Sequence, residues 1–144
     1  MIEKDTIKLL RECDAGVKMG VDSINEVLSF VQADSMRNDL TSCRAEHELL
    51  QAEIRSRLRR FKDKGKEPSP VASGMSRMKT DLALLLKGSD STIAGLMTDG
   101  CSMGVKSLNR YLNQYKAADE ISKDITKRLI HLEERLQSDM REYL

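Results

Sequence analysis

Two segments of this chain are nearly identical, and they lie 84 residues apart. The first reads MGVDSIN over residues 19–25, and the second reads MGVKSLN over residues 103–109. The same offset pairs Gly16 with Gly100. We interpret the match as an internal duplication, so the chain is expected to fold as two copies of one unit.

Composition and apolar spacing predict helices in each copy. The 144 residues are 40% hydrophobic and 33% charged, with only 3% aromatics and no tryptophan, a composition that favours helices over strands. In residues 2–33 the apolar positions recur every three or four residues, as one face of a helix requires. The same spacing predicts further helices over residues 34–64, over residues 92–115 and after Asp119.

Short links make each pair of helices an antiparallel hairpin. Asp34 and Ser35 offer a turn and an N-cap for the second helix, and Gly65 offers its C-terminal stop. The first hairpin therefore covers about residues 2–64, and the second covers about residues 92–143.

The stretch between the hairpins, residues 65–91, is much longer than a bundle turn needs. It includes a short helix predicted over Met75–Lys87, and it is long enough to carry the chain from one end of the bundle to the other. Two hairpins joined by one long crossover form the ferritin-like arrangement. The sequence therefore predicts a single all-α domain over residues 1–144, a ferritin-like four-helix bundle.

Four glycines lie inside the long predicted helices, where each costs about 0.5–1 kcal/mol relative to alanine. They are Gly16, Gly20, Gly100 and Gly104. Two glycines one turn apart leave a helix face bare and let another helix approach closely. We therefore expect the first and third helices to touch at these glycines, near mid-length, across a pseudo-twofold axis. Independent tolerance of each glycine is the alternative, but it does not explain the register that both halves share.

The charge balance and the cysteines indicate which partners and which cellular compartment to expect. The net charge is +1, so no overall field attracts nucleic acid or an anionic membrane. No segment approaches the ~20 apolar residues of a membrane span, and the N-terminus shows no apolar run of signal-peptide length. The widely spaced Cys13, Cys43 and Cys101 fit free thiols in a reducing cytoplasm rather than a disulfide framework.

Several short motifs carry a resemblance to known proteins. They are Cys13-x-x-Gly16-x-Lys18, Gly65-Lys66-x-Pro68, Lys87-Gly88 and Asp99-Gly100. With these motifs the chain resembles the ferritin and rubrerythrin superfamily, and more narrowly a family of bacterial four-helix-bundle proteins with ferritin-like topology whose activity is not established. The resemblance covers nearly the whole chain and implies the fold more than it implies a function.

The ligands of a di-iron bundle are missing from this sequence. Such a bundle needs inward glutamates and a Glu-x-x-His motif on each of two helices. Arg44 and Arg128 stand three residues before His47 and His131, where glutamate would be required. We therefore expect no oxidative di-iron site.

One histidine remains a candidate metal ligand. His131 follows His47 by 84 residues, the offset of the repeat. The apolar positions of the fourth helix, however, match those of the second helix better at an offset of 82. That alignment pairs His47 with Leu129 and leaves His131 on a solvated face. His47 lies in an apolar stripe one turn after Cys43, and with Cys101 at a similar height these side chains could bind zinc or iron. The favoured interpretation is a buried histidine hydrogen-bonded to a neighbour, beside cysteines that pack as small apolar residues.

The first hypothesis for function is a non-catalytic structural or protein-interaction module that self-associates, most simply as a dimer. The sequence shows no phosphate-binding glycine loop and no nucleophile with an arranged base, so neither an enzyme nor a cofactor is expected. Balanced charge argues against nucleic-acid and membrane partners. Apolar leucines in the crossover offer surface for association; they are Leu82, Leu84, Leu85 and Leu86.

Two other hypotheses stay open. The second is a divergent ferritin-like protein that binds zinc or iron through Cys43, His47 and Cys101. The third is a polyanion binder that uses the basic run Arg55–Lys66. It is the least expected, because cations at a helix C-terminus also complement the helix dipole.

Overall fold

The computed structural model describes residues 2–68 and 89–144, and all regular structure within them is helical. The four long helices are α1 (Ile2–Leu28), α2 (Asp34–Arg60), α3 (Asp90–Gln114) and α4 (Glu120–Met140), and a single 3-10 turn (Arg141–Tyr143) follows α4. The predicted all-α class with four long helices is confirmed. The short helix predicted over Met75–Lys87 and the crossover leucines lie outside the described residues.

The link between α1 and α2 is capped from a distant part of the chain. The N-cap residue of α2 is Ala33, which makes no side-chain cap, so the expected capping role of Asp34 or Ser35 is wrong. The carboxylate of Asp90 instead accepts hydrogen bonds from the backbone N–H groups of Gln32, at 2.8 Å, and Ala33, at 2.9 Å. An acidic residue at the start of α3 therefore supplies the acceptor that the link lacks locally.

The first two helices are shorter than predicted, ending at Leu28 and Arg60. Just past α2, Lys62 adopts a left-handed backbone with φ +56°. Gly65, which was expected to stop the helix, lies farther along and has φ +87°. The last turn of α2 is basic, as the helix dipole favours.

The second hairpin has local caps at both of its helix starts. The Ser89 hydroxyl accepts a hydrogen bond from the backbone N–H of Thr92 at 3.1 Å. The Asp119 carboxylate does the same for Ser122 at 2.8 Å. These side chains satisfy N–H groups that a helix start leaves without partners.

Hydrogen bonds at the two ends of the bundle fix the direction of each helix. The start of α1 lies beside the α3–α4 link, where the Thr6 hydroxyl accepts from the backbone N–H of Asp119 at 2.8 Å. The start of α3 lies beside the α1–α2 link through Asp90. Consequently α2 and α3 run in the same direction, so α2 ends at one end of the bundle and α3 begins at the other. Packing joins α1 to α2, α3 and α4, and α2 to α4.

The core consists of two apolar clusters stacked along the bundle. The cluster near the α1–α2 link includes Ile24, Met36, Leu40, Ile93 and Met140. The cluster near the α3–α4 link includes Leu10, Ile54, Leu58, Ile125 and Leu129. All four helices contribute to both clusters, so the bundle is packed on either side of its middle.

Several pairs of residues at the offsets noted in the sequence are both buried. In α1 and α3, Val17 and Cys101, which are 84 positions apart, are buried. In α2 and α4, Ile54 and Leu136, which are 82 positions apart, are buried.

The segment after α2 is held on α1 by Asp14, whose side chain is 1% exposed. Its Oδ2 atom accepts a hydrogen bond from the backbone N–H of Lys66 at 3.0 Å and lies 2.8 Å from Lys18 Nζ. The same ammonium donates to the Lys66 carbonyl at 3.2 Å and to the Glu67 carboxylate at 2.9 Å. Gly65 packs directly on the Asp14 carboxylate. Charge and hydrogen bonding thus compensate the buried carboxylate through its Oδ2 atom, whereas Oδ1 is buried with no hydrogen-bond partner among the described residues.

Replacing Gly65 with alanine should destabilise the protein. The residue has a positive φ, and a Cβ there would overlap the Asp14 carboxylate, so we expect a loss of roughly 2 kcal/mol in the free energy of unfolding. Urea denaturation measures this loss. Gly95→Ala in α3 is the matched control: no described atom lies within 4 Å of its Cβ position, and the substitution should stabilise the helix. Equal effects of the two substitutions would contradict the role given to Asp14 and Gly65.

Candidate functional site

At mid-length the bundle interior contains a polar pair, His47 from α2 and Glu133 from α4. Their side chains are 1% and 13% exposed, and His47 Nε2 lies 2.9 Å from Glu133 Oε1. At the same level α1 and α3 present Gly20 and Gly104 to this pair. We call these four residues the polar layer. It separates the two apolar clusters, because on each helix its member stands between residues of one cluster and residues of the other.

Both ring nitrogens of His47 face acceptors. Nδ1 lies 2.8 Å from the backbone carbonyl oxygen of Cys43, one turn earlier in α2, and Nε2 faces the Glu133 carboxylate. A carbonyl oxygen can only accept a hydrogen bond, so Nδ1 carries a proton. An ionised carboxylate also can only accept, so Nε2 carries a second proton and donates a hydrogen bond to it. The arrangement therefore fits an imidazolium paired with a carboxylate, which is a charge-assisted hydrogen bond.

The electrostatics of the pair favour the same protonation state. Burial by itself lowers the pKa of His47, but its interactions with Cys43 and Glu133 outweigh burial and raise the pKa to about 10, from an ordinary value of 6.5. The imidazole is therefore charged at neutral pH. Each charge of the pair compensates the other, which is the condition for keeping ions in an apolar interior.

Gly20 and Gly104 make room for this pair. A Cβ on Gly20 would lie 2.9 Å from His47 Nε2, and a Cβ on Gly104 would lie 3.4 Å from Glu133 Oε2. The first distance is shorter than a carbon and a nitrogen normally reach without bonding. Glycine at residue 20 is therefore explained by the imidazole that packs against it.

The other two glycines of the repeated motif lack this role. A Cβ on Gly16 would meet Leu129 of α4 at an ordinary 3.8 Å, and no described atom lies within 4 Å of the Cβ position of Gly100. The helices α1 and α3 do pack together, but none of the four glycines has an atom of the opposite helix among the described atoms nearest to its Cβ position. This differs from the expectation that all four glycines would join the first helix to the third: Gly16, Gly20 and Gly104 face side chains of α2 or α4, and Gly100 faces no described atom within 4 Å.

Two of the three cysteines border the polar layer. Cys43 Sγ lies 3.4 Å from His47 Nδ1. Burial raises the pKa of Cys101 far above its ordinary range. The charge of Glu133 and a hydrogen bond to Glu133 raise it further. Both side chains are buried free thiols. The raised pKa of Cys101 keeps that thiol protonated at neutral pH.

The third cysteine lies in the cluster near the α3–α4 link, away from the polar layer. Cys13 Sγ is 3.2 Å from the hydroxyl of Thr126, and burial raises the pKa of the thiol to about 12. A thiol that stays protonated at neutral pH is a poor nucleophile. Cys13 therefore serves the packing of α1 against α4.

The sequence named Cys43, His47 and Cys101 as possible zinc or iron ligands, and the structure does bring them to one level. Their geometry does not suit an ion. Cys43 and Glu133 engage His47 through different ring nitrogens, so in this arrangement neither nitrogen of the ring is free to ligate a metal. Across residues 2–68 and 89–144, no group of three or more His, Cys, Asp or Glu side chains is placed to hold a metal ion.

Sequence reasoning missed Glu133. It lies four residues after Leu129 and three before Leu136, on the buried stripe of α4, yet it opens the charged run Glu-Glu-Arg at residues 133–135. Its spacing from the apolar positions was the available signal. Asp14 was missed in the same way, since it stands three residues before Val17 on the buried stripe of α1.

Comparisons of the chain with protein-family models, with curated proteins and with solved structures find no match. Within the described residues, no helix is long and apolar enough to cross a lipid bilayer.

The raised pKa of His47 should make stability fall with rising pH. A group whose pKa is 6.5 when unfolded and about 10 when folded stabilises the protein fully below pH 6.5, and this stabilisation is lost as the pH rises to about 10. One pKa unit corresponds to about 1.4 kcal/mol, so the loss should reach several kcal/mol. Urea denaturation over this pH range measures it.

Variants of the two histidines isolate the effect from other titrating groups. His47→Gln should flatten the decline, whereas His131→Gln, at an exposed site on α4, should leave it unchanged. If the two variants follow the same profile, the His47–Glu133 pair is not its source.

Gly20→Ala should destabilise the protein even though alanine is the better helix former. The added Cβ would press on the imidazole, and we expect a net loss of about 1–2 kcal/mol. Gly100→Ala, at a position with no described neighbour, should stabilise by up to about 1 kcal/mol. Combining Gly20→Ala with His47→Ala should remove the penalty of the first substitution, and a thermodynamic cycle with no coupling between them would contradict the steric explanation.

Proposed function

We propose that this chain is a non-catalytic protein-interaction module, built on a ferritin-like four-helix bundle and acting as a homo-oligomer, most simply a dimer. The observation that carries this proposal is the His47–Glu133 pair. At the middle of the bundle, where a ferritin-like metalloprotein would hold its ions, one imidazolium and one carboxylate satisfy each other. The interior thus has no open coordination position, and the surface is left to make contacts.

The course of the chain supports the ferritin-like part of the proposal. Two antiparallel hairpins are joined so that α2 and α3 run in the same direction, which is the connection that a long crossover makes in ferritin-like bundles. Matched burial at offsets of 84 and 82 supports an origin by duplication. Three buried free thiols fit a reducing compartment, which for the bacterial family that the sequence resembles would be the cytoplasm.

An exposed apolar side chain supports the interaction part. Leu49 on α2 is 74% exposed. It lies well inside its helix, where fraying of a helix end does not explain the exposure. Such a position can bury apolar area when a partner binds.

Solution mass and metal content together test the proposal. Light scattering should show a species of at least twice the 16.3 kDa of one chain, and elemental analysis of purified protein should show no stoichiometric zinc or iron. A strictly monomeric protein at the highest attainable concentration would overturn self-association. Chelator treatment should leave the helical circular dichroism and the melting temperature unchanged, because no ion contributes to folding.

A second candidate function, binding of zinc or iron, is favoured by the clustering of Cys43, His47, Cys101 and Glu133. These side chains are of the types that bind such ions. Binding would require His47 to give up one of its two hydrogen bonds. Near-stoichiometric metal that is lost on His47→Ala and retained on His131→Ala would establish this function in place of the first.

A further inference from the structure

The outer face formed by α2 and α4 has a hollow of about 330 Å³ beside the exposed Leu49. Leu49, Leu50 and Leu132 supply its apolar lining, and His131 lines it from α4 together with charged side chains of both helices. An exposed leucine therefore stands at the edge of a hollow with a mixed apolar and charged lining, about halfway along the bundle.

The charges around the hollow are divided between the two helices. Glu46 and Glu53 form an acidic edge on α2, and Arg128 and Arg135 form a basic edge on α4. Arg128 donates two hydrogen bonds to Glu53, at 2.7 Å and 2.9 Å, and Arg135 donates to Glu46 at 3.3 Å. These bonds hold the acidic and basic edges at matching levels on either side of the hollow.

The outward side of α2 around Leu49 is built from small residues. Together with Leu49 they recur every three or four positions, and all are exposed; they are Ser42, Ala45, Ala52 and Ser56. Small side chains on either side of one projecting leucine let another helix come close to α2 without displacing large groups.

We propose that a second copy of this chain docks on the α2–α4 face, with Leu49 of each copy packed at the hollow of the other. This inference rests on the proposed self-association and names its interface. A twofold axis parallel to the helices, running along the hollow, places α2 of each copy over α4 of the other. Because such a rotation preserves the level along the bundle, Glu46 then faces Arg135 of the partner subunit, and Glu53 faces Arg128 of the partner subunit.

A second copy is favoured over an unrelated partner because the face is complementary to itself. A closed two-fold dimer uses the same patch on both subunits, so every feature of the patch must find its complement within that patch. Here the projecting leucine has its hollow, and the acidic edge has its basic edge. Complementary potentials of this kind fix orientation and exclude wrong partners.

Light scattering or sedimentation of the full chain tests the interface. Leu49→Glu should weaken dimerisation at least tenfold, because it places a charge at the centre of the contact. Met103→Glu is the matched control, since Met103 is similarly exposed but lies on α3. Both variants should retain the helical circular dichroism of the original chain, and Met103→Glu should retain its mass.

A charge exchange provides the complementary measurement. The double variant Glu46→Arg with Glu53→Arg has a wholly basic face, and Arg128→Glu with Arg135→Glu has a wholly acidic one. Each should be monomeric alone, whereas an equimolar mixture should form a heterodimer that dissociates at high salt.

The outcomes separate the interface from the proposed function. A dimer that persists in Leu49→Glu, or that is lost in Met103→Glu instead, overturns the interface and keeps self-association. A chain that is monomeric before any substitution overturns both. Charge variants that do not pair when mixed also overturn the interface.

Discussion

The bundle depends on the ion pair between His47 and Glu133 at its middle. His47 and Glu133 place opposite charges between two apolar clusters, and removing either partner would leave the other buried without compensation, at a cost of about 3–5 kcal/mol. The pair also fixes how α2 and α4 are aligned, because a shift of one helical turn, about 5.4 Å, would separate the two groups. Glycine at residue 20 follows from the same pair, because the imidazole occupies the space beside it.

Two other carboxylates join parts of the bundle that are distant in the chain, as Glu133 joins α4 to α2. Asp90, the first residue of α3, accepts two backbone hydrogen bonds from the α1–α2 link and so joins the second hairpin to the first. Asp14 of α1 holds the segment that follows α2. Each contact joins residues more than 50 positions apart, so acidic side chains set the connections while apolar side chains fill the core.

The local spacing of residues predicted the helices. Features that depend on contacts between residues distant in the chain could not be predicted from it. The spacing of apolar residues revealed all four long helices and the burial of His47, because these depend on residues three or four positions apart. The cap of α2 escaped prediction since its acceptor, Asp90, comes from another hairpin. Glu133 sits at a buried spacing, but only its partner 86 residues away makes burial of the charge tolerable. The glycine pattern was recognised as meaningful, and the imidazole that explains Gly20 became apparent only in three dimensions.

The His47–Glu133 pair decides which solution conditions the stability of the fold depends on. A bundle that closes around metal ions draws stability from their binding and responds to their supply, whereas a bundle closed by His47 and Glu133 responds to pH. The same pair also orients the outer surface. Leu49 follows His47 by two residues, a rotation of about 200° around the helix, so holding the imidazole inward turns the leucine outward to 74% exposure. The contact that closes the interior therefore also turns an apolar side chain of α2 toward the surface.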